Sequence, residues 1–452
     1  MSSIIVVRSL SIAAYGRLSY YLWLASVISS VGLLAFPSSL TKIVSQLYGS
    51  GDIEEAEALI PWVGQILFIL NTTIALIVVG LAFTASPASR PLLLILAVSL
   101  LPGAMARVLN SRVLAKEQYQ ISMVASIVTS IVTLGAVVVA HSLKSNTDGY
   151  EAVLLGGGLI QLAVLFVSSR GSPIVRFGRI WTSTSARKTY MMYFVPSTLL
   201  ALFDLVVWQR SEVYFLNRFA PYSQVAFYSI SYTLFSVFHL LGAALLNGLF
   251  PSASHDFGAG NLPLLVEKAR AGLTLAGFYA FPIALGGIAV APTVLSLFYG
   301  RQISPAGPVA QILMAGVVPG ALAVAMTMTL SAGGEIWRVV RVGALFSVVN
   351  LVLDLILISR GLAIGAALAN TLTQTGYAVT VVGACLITFR FRPPWRWLLL
   401  CGVASFALPF GIPMVLSVTG LHGIVLVLAM LLGYALYWWV CWRAGIWRAL
   451  RI

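Results

Sequence analysis

RGSPIVRFGRIWTSTSARK, residues 170–188, holds five basic side chains, Arg170, Arg176, Arg179, Arg187 and Lys188, and no acidic one. Long apolar runs flank it on both sides. Such a segment cannot lie in hydrocarbon, and its charge marks the side it occupies, because cytoplasmic loops carry the excess of Lys and Arg. We read it as a cytoplasmic linker between two halves. Residues 1–169 form an N-terminal lobe with a partial first helix and five spans. Residues 189–388 form a C-terminal lobe of six spans, and 389–452 supply two trailing transmembrane helices and a cytoplasmic tail.

The composition agrees. With 60% hydrophobic and 9% charged residues, the chain falls far below the roughly 25% charge of ordinary soluble domains. Several runs exceed the ~20 apolar residues that cross a bilayer, which makes this an all-α polytopic membrane protein. Spans are expected at 18–40, 60–83, 91–109, 121–143, 152–169, 189–209, 224–250, 271–299, 305–331, 339–358, 361–388, 397–418 and 421–442, thirteen in all. No alternating strand pattern supports a barrel. The net charge of +14 suggests nucleic acid only in a soluble protein; here Lys and Arg gather in loops of one face. Nucleic-acid binding is therefore not expected. Cys385, Cys401 and Cys441 lack a CxxC or a nearby His, which argues against a metal site or disulfide framework. Glycines 156–158 have no phosphate-loop spacing, so no nucleotide and no other cofactor is expected; they suit close helix approach.

Loop charge sets the orientation. Alternate loops, from Lys42 to the tail at Arg443, Arg448 and Arg451, hold 19 of the 27 basic residues. The opposite loops hold the other eight: Arg8, Arg17, Arg90, Lys144, Arg210, Arg218, Arg301 and Arg360. The first set, and with it the C-terminus, is assigned to the cytoplasm. MSSIIVV lacks the charged start of a cleavable signal. Arg8 falls on the far side after only seven residues, so the first helix is expected to lack its opening half, from an intended fourteen.

Three signatures recur in order on either side of the linker. Arg8 and Ser19 (RSLSIAAYGRLS) answer Arg218 and Ser229 (RFAPYSQVAFYS). Phe36-Pro37-Ser38 answers Phe250-Pro251-Ser252, and Gly49-Ser50-Gly51-Asp52 answers Gly258-Ala259-Gly260-Asn261. Register across three pairs points to duplication. Six helices per half is an even number, which predicts parallel repeats related by an axis along the membrane normal, with a shared cleft.

These residues carry a resemblance. Residues 8–22 and 196–234 (PSTLLALFDLVVWQRSEVYFLNRFAPYSQVAFYSISYTL) resemble the opening turn, and the seventh helix, outer turn and eighth helix, of polysaccharide-unit flippases. These belong to the multidrug/oligosaccharidyl-lipid/polysaccharide exporter superfamily, which is MATE-like. Tyr48–Leu59, Tyr299-Gly300 and Arg360–Ala369 (RGLAIGAALA) are similar to further family segments. The chain departs from the pattern at its short first helix, at Glu212 where Asp is common, and at Ala226 in place of Gly. The resemblance implies two six-helix bundles related by a pseudo-twofold, plus two trailing helices. It also implies movement of undecaprenyl-pyrophosphate-linked oligosaccharide across the inner membrane for surface polysaccharide synthesis. The implied partners are the lipid-linked substrate, membrane lipids and the polysaccharide polymerase machinery.

An anionic head group in a wet cleft needs fixed cations, and Arg offers forked donors. Candidates are Arg8, Arg17, Arg210, Arg218, Arg301 and Arg360; the plainer role for each is an interfacial Arg reaching lipid head groups. At helical spacing Asp204, Ser211 and Arg218 share one face, and a carboxylate at that depth needs a partner or water. Asn350 and Asp354 stand at i, i+4, as do Asn370 and Gln374, with Tyr377 beyond. Such stripes line a cleft or glue helices together. His239 could relay protons or serve packing, and Glu212 completes the polar set. Asp52, Glu54, Glu55 and Glu57 read as a solvated helix start. A flippase is the expected function. The rivals are a multidrug or organic-cation antiporter, whose cleft should be acidic, a membrane glycan polymerase or ligase, and a non-transporting scaffold.

Overall fold

The computed structural model describes residues 2–87, 89–116, 118–168, 184–207, 210–247, 253, 261–418 and 423–450. Among them helices and turns alone occur, with no strand. The signature 250–252, most of 258–261 and linker residues 170–183 lie outside this set. The chain divides after Arg210 into two compact units.

The first unit opens with α1 (Ser2–Ser9), which packs on α6, and α2 (Ile12–Leu33). The Ser11 side chain accepts from Ala14 N at 3.2 Å, which caps an otherwise orphaned donor. α2 stops at Leu34, φ 43°, and α3 (Phe36–Ser50) leaves at a 44° bend. Pro37 fits the first turn of α3, where its missing N–H costs no bond. Buried Asn71 holds this bend by donating to Gly32 O at 3.0 Å. α3 ends at Gly51, φ 86°, the left-handed cap that glycine adopts without strain.

α4 (Ile53–Thr84), α5 (Arg90–Ala115), α6 (Tyr119–Ser142), α7 (Thr147–Ser168) and α8 (Thr184–Val207) complete the unit. α5 lies at its centre, against α2, α3, α4 and α7. Gly158 of α7 meets the Gly103 backbone of α5, where an added Cβ would sit 3.3 Å from Gly103 Cα. This is the close approach that small residues permit. α8 is fastened to α3 and α4 by Tyr190, whose hydroxyl donates to Phe36 O at 3.0 Å and whose ring meets Trp62 edge-on.

The second unit runs through α9 (Glu212–Phe219), α10 (Tyr222–Asn247), α11 (Leu262–Tyr299), a 3₁₀ turn (Arg301–Ala306), α12 (Gly307–Ala315) and α13 (Val317–Ala332). It continues with α14 (Ile336–Leu353), a π turn (Asp354–Ile358) and α15 (Ser359–Phe389). α16 (Trp395–Ser405), α17 (Gly411–Val418), α18 (Ile424–Arg443) and α19 (Trp447–Leu450) follow. α11 is the axis, packed by α12, α13, α16 and α18. α14 and α15 pack on each other, so the chain doubles back at Leu362, φ 51° and ψ −129°. A Cβ on Gly365 would collide with the Leu357 carbonyl, so only glycine lets the returning helix of the hairpin pass.

Among the described residues nine helices are long and apolar enough to cross a membrane, ten if the bent α2–α3 pair counts as one span. Of the three spans by which the expected thirteen exceeds ten, one is Ile336–Phe389, two sequence spans that run as one 54-residue helical stretch broken at Leu362, and two are 189–209 and 224–250, whose helices α8 and α10 are not among the nine. Leu76, Val98, Val167, Ile387 and Val403 are each more than 65% exposed. In water such patches would aggregate; in lipid they are the ordinary outer face. This is a multi-pass helical membrane protein.

Candidate functional site

Ser211 stands at the break between α8 and α9, behind Arg210, which takes a left-handed φ of 61°. The break changes the expectation for Asp204, Ser211 and Arg218. Asp204 belongs to α8 and Arg218 to α9, so the three do not continue one helical face; the Asp204 side chain lies outside the described residues.

What the break does instead is aim Ser211 and Glu212 inward. Ser211 Oγ donates to Asp354 Oδ2 at 2.7 Å. Asn350 Nδ2 donates to Ser211 Oγ at 2.9 Å and to Asp354 Oδ2 at 3.1 Å. Glu212 Oε1 accepts from Asn370 Nδ2 at 2.8 Å, and Asn370 Oδ1 accepts from Gln374 Nε2 at 2.7 Å. Gln374 Oε1 and His239 Nδ1 both border Gly320. Glu212, Asn350 and Asp354 are fully buried, and Asn370 and Gln374 nearly so. The sequence pairs Asn350/Asp354 and Asn370/Gln374 are thus brought together with Glu212, and His239 closes the far end. Ser347 turns back to Gly343 O, and Tyr377 pairs with Thr327.

The π turn explains how α14 presents Asp354: one extra residue per turn displaces the carboxylate from the regular helical face, a device common at functional sites. Asp354 has no basic partner among the described residues. Its Oδ1, with Asn350 Oδ1 and Gln374 Oε1, lacks a hydrogen-bond donor there. Glu212 and Asp354 are near enough for their charges to oppose each other. A buried set of oxygen acceptors facing two carboxylates is chemically suited to a proton or a small alkali cation. Among the described residues no three His, Cys, Asp or Glu groups gather for a transition metal.

The arginines are dispersed. Arg8 and Arg17 belong to the first unit; Arg218, Arg301 and Arg360 are exposed in the second, and Arg210 is half-buried. Arg8 and Arg218 each lie in the last turn of a short helix, α1 and α9. A cation there complements the helix dipole.

Two acidic groups differ from the sequence reading, one read as a solvated helix start and one passed over. Glu57 is not merely solvated: it binds Arg112 at 2.8 Å and Lys116 at 2.7 Å and accepts from Tyr48 at 2.7 Å. Glu151, at the mouth of α7, is fully buried. Its signal was Asp148 three residues before it, two carboxylates on one face just ahead of an apolar run.

The MatE family model matches residues 183–356, a stretch that contains Glu212, Asn350 and Asp354. The backbone superposes on the lipid II flippase MurJ in an inward closed conformation, TM-score 0.72 at 14% identity, covering 98% of this chain and 97% of that one. The chain has a MATE-like fold. An inward-facing multidrug resistance MATE family transporter of the MOP superfamily agrees, with TM-score 0.67 at 13% identity over 86% of this MATE-like chain and 98% of that one. By sequence it is 26% identical over 268 residues to the probable flippase AglR of Haloferax volcanii. The match covers 54% of the MATE-like chain and 56% of that relative, about half the length of each.

Proposed function

We propose that the chain is a flippase that carries undecaprenyl-pyrophosphate-linked oligosaccharide units across the inner (plasma) membrane by alternating access, as a thirteen-span protein with its C-terminus in the cytoplasm. What supports this reading is a cation of the expected kind, Arg218, exposed in the last turn of α9. A guanidinium at a helix end suits a diphosphate, which takes forked donors. The names of the lipid II flippase and of the probable flippase AglR support it. Arg17, Arg210, Arg301 and Arg360 are the further head-group candidates. The Glu212–Asp354 network serves as the coupling site, where a proton or alkali cation exchanges as the cycle turns. The polysaccharide polymerase machinery is the natural recipient of the product.

That same acidic network favours a second reading, an organic-cation antiporter, since buried carboxylates also attract cationic drugs. Inverted vesicles carrying the chain separate the two. They are offered radiolabelled lipid-linked oligosaccharide in one arm and a cationic dye in the other. Protection of the labelled sugar in the lumen without dye movement is expected; dye movement with no sugar translocation sinks the flippase reading.

A further inference from the structure

The mouth of α7 carries a second acidic site, away from the network of the other unit. Asp148 lies in the first turn and Glu151 follows at i+3, so both carboxylates look along one helix face. Glu151 is 0% exposed, and neither of its carboxylate oxygens has a hydrogen-bond partner among the described residues. Asp148 Oδ1 is buried and equally without a donor. Arg17, on the neighbouring α2, lies close enough for its charge to act on Glu151, and its buried Nε also lacks an acceptor.

The other charged groups on the elements packed around α7 are these. His141, ending α6, shares a 2.7 Å hydrogen bond with Ser9. Arg90, opening α5, lies 5.8 Å from the Phe83 ring centre, and Arg112 of α5 binds Glu57. Arg107 is near that same end of α5, and Lys144, in the turn before α7, is exposed. The cluster is therefore two carboxylates against one guanidinium, a net charge of −1 when both are ionised. Ionised Glu151 competes with any outside anion for Arg17; protonated, it does not.

We propose that Glu151 is a proton-accepting site linked to an anionic head group at Arg17. A proton taken from solvent onto a Glu151 carboxylate oxygen frees the guanidinium to receive a diphosphate. By reciprocity the bound diphosphate strengthens the hold on the proton. This rests on the lipid-linked reading and adds a proton acceptor in the first unit, independent of Asp354.

The test uses the full chain in detergent and a short-chain isoprenyl diphospho-sugar, a diester whose charge is constant around neutrality. Calorimetry in buffers of differing ionisation enthalpy counts protons bound with the probe. The expected result is uptake of about one proton per probe, with affinity falling up to about tenfold per pH unit as pH rises. Glu151→Gln should bind as tightly as the wild type at its most acidic, at every pH and with no proton uptake. Asp148→Asn should keep the uptake, and Arg17→Gln should lose binding throughout. Binding without proton uptake in the wild type overturns the proposal and leaves the flippase reading standing. No binding by wild type or Glu151→Gln at any pH overturns both. The proton count of the wild type decides even if Glu151→Gln fails to fold.

Discussion

Asp354 has a charge and a shape, and substitution can separate them. Asp354→Asn keeps an oxygen for the Ser211 hydroxyl and the Asn350 amide but removes the negative charge. The thermal midpoint in detergent should hold or rise, since an uncompensated buried charge is relieved. Transport in vesicles should fall about tenfold or more if the charge carries the coupling ion. Asp354→Leu instead strands two donors and should cost about 1–3 kcal/mol of stability. Arg210 allows a similar separation: glycine adopts φ 61° freely, so Arg210→Gly should keep the turn while removing the cation and its contacts. A strong fall in sugar transport with an unchanged midpoint would place Arg210 in head-group binding. The i, i+4 spacing of Asn350 and Asp354 was legible in the sequence. Ser211 as their shared partner was not, because 139 and 143 residues separate it from them. Only a helix break of unmarked position brings it there.

At the scale of elements, apolar runs fixed where helices lie and said little of where they bend. The α2–α3 bend rests on Asn71, a lone amide in a span, and the α8–α9 break on a left-handed arginine with no glycine to announce it. The α14–α15 hairpin turns on another such residue. Leu362 at φ 51° and ψ −129° sits where side chains are disfavoured, so Leu362→Gly should be neutral or stabilise by up to about 1 kcal/mol. Gly365→Ala, three residues on, meets the Leu357 carbonyl and should destabilise by about 1–3 kcal/mol. Paired thermal midpoints of the two variants check both signs in one experiment. Tyr190→Phe tests the fastening of α8: losing one hydrogen bond to Phe36 O should cost about 1 kcal/mol with transport otherwise intact.

For the whole molecule, hydropathy told membrane from water, and loop charge proposed a sidedness that labelling can check. Cys385, Cys401 and Cys441 are all fully buried, so added cysteines can be read against a quiet background. Arg8→Cys and Arg218→Cys should react with an impermeant maleimide from the same face of intact cells, and a cysteine at Arg341 should not. Opposite behaviour of positions 8 and 218 would break the parallel-repeat reading. Membrane width makes another demand. α4 and α11, at 32 and 38 residues, extend about 48 and 57 Å against a hydrocarbon core of ~30 Å. Tilting absorbs only part of that excess, so each must stand proud of the bilayer as a stiff post. On a membrane protein whose described residues are nearly all helix, those posts are where a fusion partner or antibody fragment could be grafted as an alignment marker for electron microscopy.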